Sequence, residues 1–364
     1  MTISFDRTML LNPGPVNVAP RVTQALLRGD LCHREDEFAT LQSRIRELLC
    51  HAFAPHDDYT AILLTGSGTA ALEAAVASSL HPQRKMLVIN NGVYGARMAQ
   101  MASIHGFDVV ELSSPWTSPP ALGQIDRVLR ADPAIEVVSL VHHETTTGLL
   151  NPVAAIGEIV KQYGRVLLVD SISGLGGEEI DLAAASIGLC VGTANKCIQG
   201  LPGVSFVLVK NTEMQRMQDF PPRTLYFHLP MLYAHQQRES TPFTPAIQVM
   251  YALDEALQEL LEEGVAQRIK RYRTAALLLR DGFESLGLKC LLPPDLRSNT
   301  ITSLELPAGF TYEALHDALK VQGYVIYAGQ DDLAARVFRV ANMGHHSLEQ
   351  FQGFLGALTE VLKR

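Results

Sequence analysis

Lys196 lies in the run Ala194-Asn195-Lys196-Cys197-Ile198, with the turn Gln199-Gly200-Leu201-Pro202-Gly203 directly after it. An ammonium group is normally solvated. Among Ala194, Cys197 and Ile198 the amine is expected to be partly buried. Loss of water lowers a lysine pKa, and a neutral amine can attack a carbonyl to form a Schiff base. A lysine that merely closes a strand and reaches to water would have the same local sequence, so other residues must decide. Asp170 ends the run Val166-Leu167-Leu168-Val169-Asp170. A carboxylate there is costly unless it is paired, although capping the next turn is a plainer use for it. Thr65-Gly66-Ser67-Gly68-Thr69 follows the apolar stretch Ala61-Ile62-Leu63-Leu64 and leads into a helix expected from about Ala70. A strand, a loop of small residues and a helix N-terminus make an anion site, because backbone N–H groups point outward there. An ordinary helix cap fits the same residues. Anion cradle, acid and amine in this order suit a lysine that holds pyridoxal phosphate.

The elements that must position these groups read as alternating strands and helices. Leu11-Asn12-Pro13-Gly14-Pro15 is a rigid turn. A helix is predicted over 20–29, and a longer amphipathic one opens at 32–38, with Leu41, Ile45, Leu48 and Leu49 at helical spacing. Strands are predicted over 61–64, 86–90, 107–112, 135–142, 166–170, 187–191 and 204–209. Helices are predicted over 93–105, 123–131 and 151–163. Short apolar strands with helices between them imply an α/β fold with a mainly parallel sheet covered on both faces. Ligands gather beyond the carboxyl ends of such strands, where polar residues fall at 67–69, 91–94, 144–147, 170–173 and 195–196. Residues 220–245 break the alternation. Their five prolines (Pro221, Pro222, Pro230, Pro242, Pro245) and several aromatics read as a long ordered excursion. Long helices over 247–263 and 265–286 meet at Gly264. Strands at 300–305, 325–327 and 337–340 and helices at 312–322 and 348–363 then suggest a smaller α/β domain. The expected division is an N-terminal segment 1–20 packing on the small domain and the site, a large domain 21–245, and a small domain 246–364 with its linking helices.

Composition narrows the classes. The chain has 364 residues, is 47% hydrophobic and carries a net charge of -8. That suits a globular protein with a large core and gives no basic field for nucleic acid. No apolar run is long enough for a membrane span, and residues 1–8 lack the pattern of a secretory signal. Cys32, Cys50, Cys190, Cys197 and Cys290 are odd in number and scattered, so neither a disulfide framework nor a metal site is expected. A cytoplasmic location fits.

Taken in order along nearly the whole chain, these stretches resemble the fold type I pyridoxal phosphate enzymes, in the class V aminotransferase branch. The resemblance is carried by 11–15, by Gly66-Ser67-Gly68-Thr69, and by Asn91-Gly92-Val93-Tyr94-Gly95-Ala96-Arg97. It continues through His143-Glu144-Thr145-Thr146-Thr147-Gly148-Leu149-Leu150-Asn151-Pro152 and Val169-Asp170-Ser171-Ile172-Ser173-Gly174. Residues 194–203 and Phe338-Arg339-Val340 complete it. The resemblance implies a large mainly parallel sheet domain with a smaller C-terminal α/β domain, and pyridoxal phosphate as cofactor. It implies that Lys196 holds the cofactor and shuttles the proton, and that Asp170 pairs with the ring nitrogen. Ser67, Gly68 and Thr69 would hold the phosphate, with Asn195 and Thr244 as further contacts and Ser173 nearby. Tyr94 would stack on the ring, and Thr146 would bond its phenolic oxygen. Thr244 would come from a second subunit, which implies a homodimer with composite sites. Arg339 would take the substrate carboxylate in a bidentate pair, with Pro15 beside the substrate.

The activity the resemblance implies is transfer of an amino group from 2-aminoethylphosphonate to pyruvate. One stretch departs from it. Cys32-His33-Arg34-Glu35 stands where aminoethylphosphonate enzymes carry a Trp-Asp or similar pair, and its His-Arg is similar to the pair that phosphoserine aminotransferases use on a phosphate. His33 and Arg34 are therefore expected to bind the phosphonate or another second anion, although Arg34 could simply pair with Glu35, Asp36 and Glu37. Asn342-Met343-Gly344-His345 also differs from the usual Gly-Cys-Ile-Gly. The alternatives are alanine–glyoxylate or serine–glyoxylate exchange on the same scaffold, a lyase or desulfurase, and a silent binding protein. A dinucleotide-binding reading is weaker, since Gly66-Ser67-Gly68 lacks a third glycine and the next strand ends in Asn90 and Asn91.

Overall fold

The computed structural model describes residues 8–54 and 57–363; the first seven residues of the expected N-terminal segment lie outside them. A seven-stranded sheet forms the centre. Its order is Tyr59–Thr65, Val204–Lys210, Ile187–Thr193, Val166–Asp170, Ile135–Val141, Lys85–Asn90 and Asp108–Ser113. All pairs are parallel except those of Val204–Lys210, which runs antiparallel to both its neighbours. The carboxyl ends of the six parallel strands therefore share one edge of the sheet. Val166–Asp170 is buried along its whole length, as its unbroken apolar run requires of a central parallel strand.

Alternate residues of each strand feed two cores. Tyr59, Ala61 and Leu63 join one face with Phe38, Ile45, Leu49, Met250 and Leu257, from helices Asp36–Phe53 and Ile247–Glu263. Ile62 and Leu64 join the other with Ala71, Leu72 and Met98, from helices Gly68–Ser79 and Val93–Ile104. A third core holds Met9, Leu11, Phe283, Leu315, Phe338, Phe351 and Phe354. It lies among an antiparallel sheet (Ile301–Glu305, Val337–Ala341, Tyr327–Ala328) and helices Val265–Ser285, Tyr312–Val321 and Leu348–Leu362. The N-terminal strand Met9–Leu10 pairs in parallel with Tyr324–Val325.

Local chemistry moved several expected boundaries. The helix expected to open at 32 begins at Asp36. Glu35 is extended (φ -109°, ψ 162°), and Asp36 and Glu37 occupy the first turn, where a helix favours negative charge. The helix from Pro20 runs only to Gln24 and tightens into a 3-10 turn at Ala25–Leu27. The expected strand at 325–327 is two strands in two sheets, parted at the buried Ile326. Helix Asn211–Met217 was not expected, and the 220–245 excursion contains helix Leu229–Gln236.

Candidate active site

The shared sheet edge gathers the groups with chemistry. Strand Tyr59–Thr65 turns through Gly66 (φ 154°) into helix Gly68–Ser79, with the exposed Ser67 as N-cap. Gly66 donates to the Gly203 carbonyl at 2.8 Å, which ties this loop to the one after Lys196. The Gly68 and Thr69 amides that open the helix have no hydrogen-bond partner among the described residues, the Ala70 amide donates to the Ser67 carbonyl at 2.9 Å, and the Ser67 hydroxyl caps none of them. A Cβ on Gly68 would stand 2.9 Å from Ile172 Cδ1, so the cradle packs directly on the turn that follows Asp170.

Asp170 is buried at the end of its strand, level with Val141 and Val191 on either side. One carboxyl oxygen accepts from the Ile172 amide at 3.0 Å. Desolvation pushes its pKa up to about 7; Glu144 adds to the rise, and Lys196 and Arg97 oppose it. Such a carboxyl is held ready for a cationic partner. Lys196 is half-buried, and loss of water pulls its amine down to about 8. Its Nζ donates to the Pro13 carbonyl, and a Cβ on Gly14 would lie 2.5 Å from Lys196 Cδ and 2.8 Å from Nζ. The Pro-Gly-Pro turn thus lies on the lysine. Pro13 and Gly14 make these contacts, while Pro15 is exposed.

Arg339 is 1% exposed and sits 4.9 Å over the ring of Tyr327. Nε donates to the Ala328 carbonyl at 2.8 Å. Nη1 donates to the Thr145 carbonyl at 2.7 Å and to Gln330 Oε1 at 3.0 Å. Nη2 is buried without a partner. The guanidinium therefore has one nitrogen open to an anion, and a two-nitrogen fork would require an existing acceptor to yield. Burial lowers its pKa, with Tyr94, Tyr327 and Glu144 acting the other way.

Tyr94, in the first turn of Val93–Ile104, is half-buried, with the Arg97 guanidinium 4.9 Å from its ring centre. The Thr146 hydroxyl is already engaged. It donates to Glu144 Oε1 at 2.5 Å and accepts from the Val93 amide at 3.2 Å. Among the described residues the neighbouring Thr145 hydroxyl has no hydrogen bond, although its carbonyl holds Arg339. Asn195 Oδ1 accepts from the Thr193 hydroxyl at 2.9 Å, and Ser173 is buried with its carbonyl 3.3 Å from His143 Nδ1.

Among the described residues, three expected ones make no hydrogen bond or ion pair with Lys196, Asp170 or Arg339. Arg34 is exposed, and its Nη1 reaches the Thr241 carbonyl at 3.4 Å instead of Glu35, Asp36 or Glu37. His33 is half-buried and makes no hydrogen bond among the described residues. Thr244 is exposed and lines a cavity with Thr65, Tyr226 and Phe243. Sequence reasoning gave no role to Pro13, Gly14, Gln330, Tyr327 or the carboxyl of Glu144. Glu144 and Gly14 stood within quoted motifs, but only a fold could show what they touch. The donor set fits pyridoxal phosphate: an open helix N-terminus for its phosphate, a buried acid for its ring nitrogen and a desolvated amine for its aldehyde.

The family model Aminotransferase class-V matches residues 24–347. The 2-aminoethylphosphonate–pyruvate transaminase of Vibrio vulnificus (strain YJ016) is 37% identical over 97% of this chain and 97% of its own length. The enzyme of that name from Syntrophobacter fumaroxidans is 37% identical over 98% of this chain and 96% of its own. Among solved structures, alanine–glyoxylate aminotransferase from Nostoc sp. superposes with a TM-score of 0.93 at 28% identity, covering 100% of this chain and 97% of its own.

Proposed function

This chain belongs to the class V aminotransferases, and from that premise we propose that it transfers the amino group of 2-aminoethylphosphonate to pyruvate, giving phosphonoacetaldehyde and L-alanine. The observation that carries the substrate choice is the likeness to enzymes named for this reaction over nearly the full length of both chains. The cofactor is pyridoxal phosphate, which when bound supplies an aldehyde on an electron-accepting ring and so can store an amino group between two half-reactions.

This chain's residues have the following parts in that reading. The Ser67–Thr69 loop and the amides that open helix Gly68–Ser79 would anchor the phosphate, with Asn195 near and Thr244 supplied by a partner subunit. Asp170 would hold a proton at the ring nitrogen, and its burial keeps water from competing for that contact. Tyr94 would fix the plane of the ring. Lys196, with its pKa near 8, can both carry and release a proton at Nζ close to neutral pH. Its tether to the Pro13 carbonyl would keep the amine in place when it is not covalently engaged. Arg339 would read the pyruvate carboxylate through Nη2, made strong by burial. His33 and Arg34 are proposed as ligands of the phosphonate from the neighbouring subunit; among the described residues neither pairs with Lys196, Asp170 or Arg339 of its own chain.

The enzyme is proposed to work as a homodimer. Exposed Leu225 and the Tyr226–Phe243 ring stack (4.6 Å, 18°) provide apolar surface beside Thr244. A cytoplasmic location suits five cysteines that are all free. Among the described residues no helix is long and apolar enough to cross a membrane.

The test is spectroscopic. 2-Aminoethylphosphonate alone should bleach the visible absorption of the cofactor-loaded protein, and pyruvate should restore it. Arg339→Ala should keep the first response and weaken the second. Bleaching by alanine or serine but not by aminoethylphosphonate would move the chain to the glyoxylate exchange named for the Nostoc structure.

A further inference from the structure

Glu144 is the buried group of the site that the roles above leave unused. It stands in the short strand His143–Glu144, just past the carboxyl end of Ile135–Val141, and is fully shielded from solvent. Its Oε1 accepts from the Thr146 amide at 3.0 Å and from the Thr146 hydroxyl at 2.5 Å. That hydroxyl accepts in turn from the amide of Val93, the first residue of helix Val93–Ile104. Oε2 is buried with no hydrogen-bond partner. It faces the amides of Tyr94 and Gly95 in the same first turn. It also lies against Gly92, where a Cβ would stand 2.5 Å from Oε2 and 2.3 Å from Cδ. This helix has no side-chain cap of its own. A carboxyl aimed at its open N-terminus meets unpaired amides and the positive end of the dipole.

We propose that Glu144 is a positioning residue: it locks the Thr146 hydroxyl to the first turn of helix Val93–Ile104, and so sets Tyr94 against the hairpin that also holds Arg339. The inference rests on the reading of this edge as the cofactor site. Tyr94 makes no hydrogen bond through its own hydroxyl among the described residues, and Arg97 is its ring contact. The attitude of its ring therefore depends on how its helical turn is seated. Thr145, between Glu144 and Thr146, gives its carbonyl to Arg339 Nη1. One carboxyl thus keeps ring-stacking face and carboxylate reader in register. Its charge is felt by Asp170 on the central sheet and by Arg339 on the small antiparallel sheet.

Two variants test this without removing the side chain's bulk. Glu144→Gln keeps an oxygen for Thr146 but turns a donor toward the Tyr94 and Gly95 amides. Gly92→Ala leaves the charge alone and pushes the carboxyl aside; φ at Gly92 is 172°, which alanine adopts freely. Both variants should weaken pyridoxal phosphate binding to the cofactor-free protein, read by fluorescence titration, about tenfold, the effect of leaving one buried donor unpaired. Both should also change the induced circular dichroism of the bound cofactor and lower kcat more than they raise KM. The thermal midpoint of the cofactor-free protein should fall modestly, since the same donor is left unpaired there, so the dichroism and the kcat-against-KM split carry the distinction. Parent-like affinity and dichroism in both variants overturns the proposal. A lowered midpoint with those readouts unchanged assigns Glu144 to stability alone and overturns it too. A failure of the phosphonate reading would appear only in which amine bleaches the protein, and would leave these binding results untouched.

Discussion

At the residue scale, Lys196 and Asp170 titrate much closer together than free side chains of their types. The amine is held near 8 against an ordinary 10.5, and the carboxyl near 7 against 3.8. Both shifts begin with burial, and each group pulls the other partway back. Their consequences for stability have opposite signs. Between about pH 8 and 10.5 the unfolded chain binds more protons at Lys196 than the folded one does, so the cofactor-free protein gains stability as pH rises across that window. Between about pH 4 and 7 the folded chain binds more protons at Asp170, so the stability present at low pH is lost as pH rises through 7. Asp170→Asn should therefore gain on the parent in thermal midpoint between pH 4.5 and 7.5. Lys196→Met should be the more stable chain at pH 8, with its lead shrinking toward pH 10.5. Differences that stay flat with pH would mean that neither group is desolvated as described.

Close backbone approaches govern the elements. Gly157 sits inside helix Val153–Gln162, and a Cβ there would come within 2.1 Å of the Ala185 carbonyl. Alanine for glycine inside a helix ordinarily stabilises by about 0.5–1 kcal/mol. Here the collision should reverse the sign, and Gly157→Ala should lose roughly 1–3 kcal/mol in chemical denaturation. A gain would show that this helix can shift off the sheet. The same contrast explains what the sequence made legible. Strands such as Val166–Asp170 and Ile187–Thr193 announced themselves because burial on both faces leaves an unbroken apolar run. The cradle at 66–69, Asp170 and Lys196 were legible because strand ends and small-residue turns fall where a parallel sheet puts its ligands. The helix start at Asp36 depended on where acidic residues meet a helix terminus. The break at Ile326 depended on two sheets competing for one run. Glu144 looked like an ordinary polar residue because the amides it faces come from a helix far back in the chain. The turn at 11–15 was readable as a turn, but its contact with Lys196 was not.

The whole molecule is proposed to be two chains sharing two sites. Arg34 reaches the Thr241 carbonyl, and Thr244 stands exposed three residues further along the same segment. A chain with Lys196→Ala, co-expressed with one carrying Arg34→Ala and Thr244→Ala, should regain transaminase activity that neither has alone, because each hybrid rebuilds one full site. No recovery in hybrids isolated with two different tags would sink the shared-site reading. The cover over the lysine is fastened from both ends of the chain. Pro13 lies on Lys196, yet the segment that carries it is secured late in the sequence. Met9 donates to the Gly323 carbonyl, Leu11 to that of Val325, Ala341 to that of Leu11 and His345 to that of Asn17. During synthesis the amino end is made first but has nothing to fasten to until those residues leave the ribosome, on the order of ten seconds after Lys196 at usual elongation rates. The nascent chain therefore has an interval in which the segment over Lys196 lacks these four hydrogen bonds, and its cover is completed only when the chain is nearly whole.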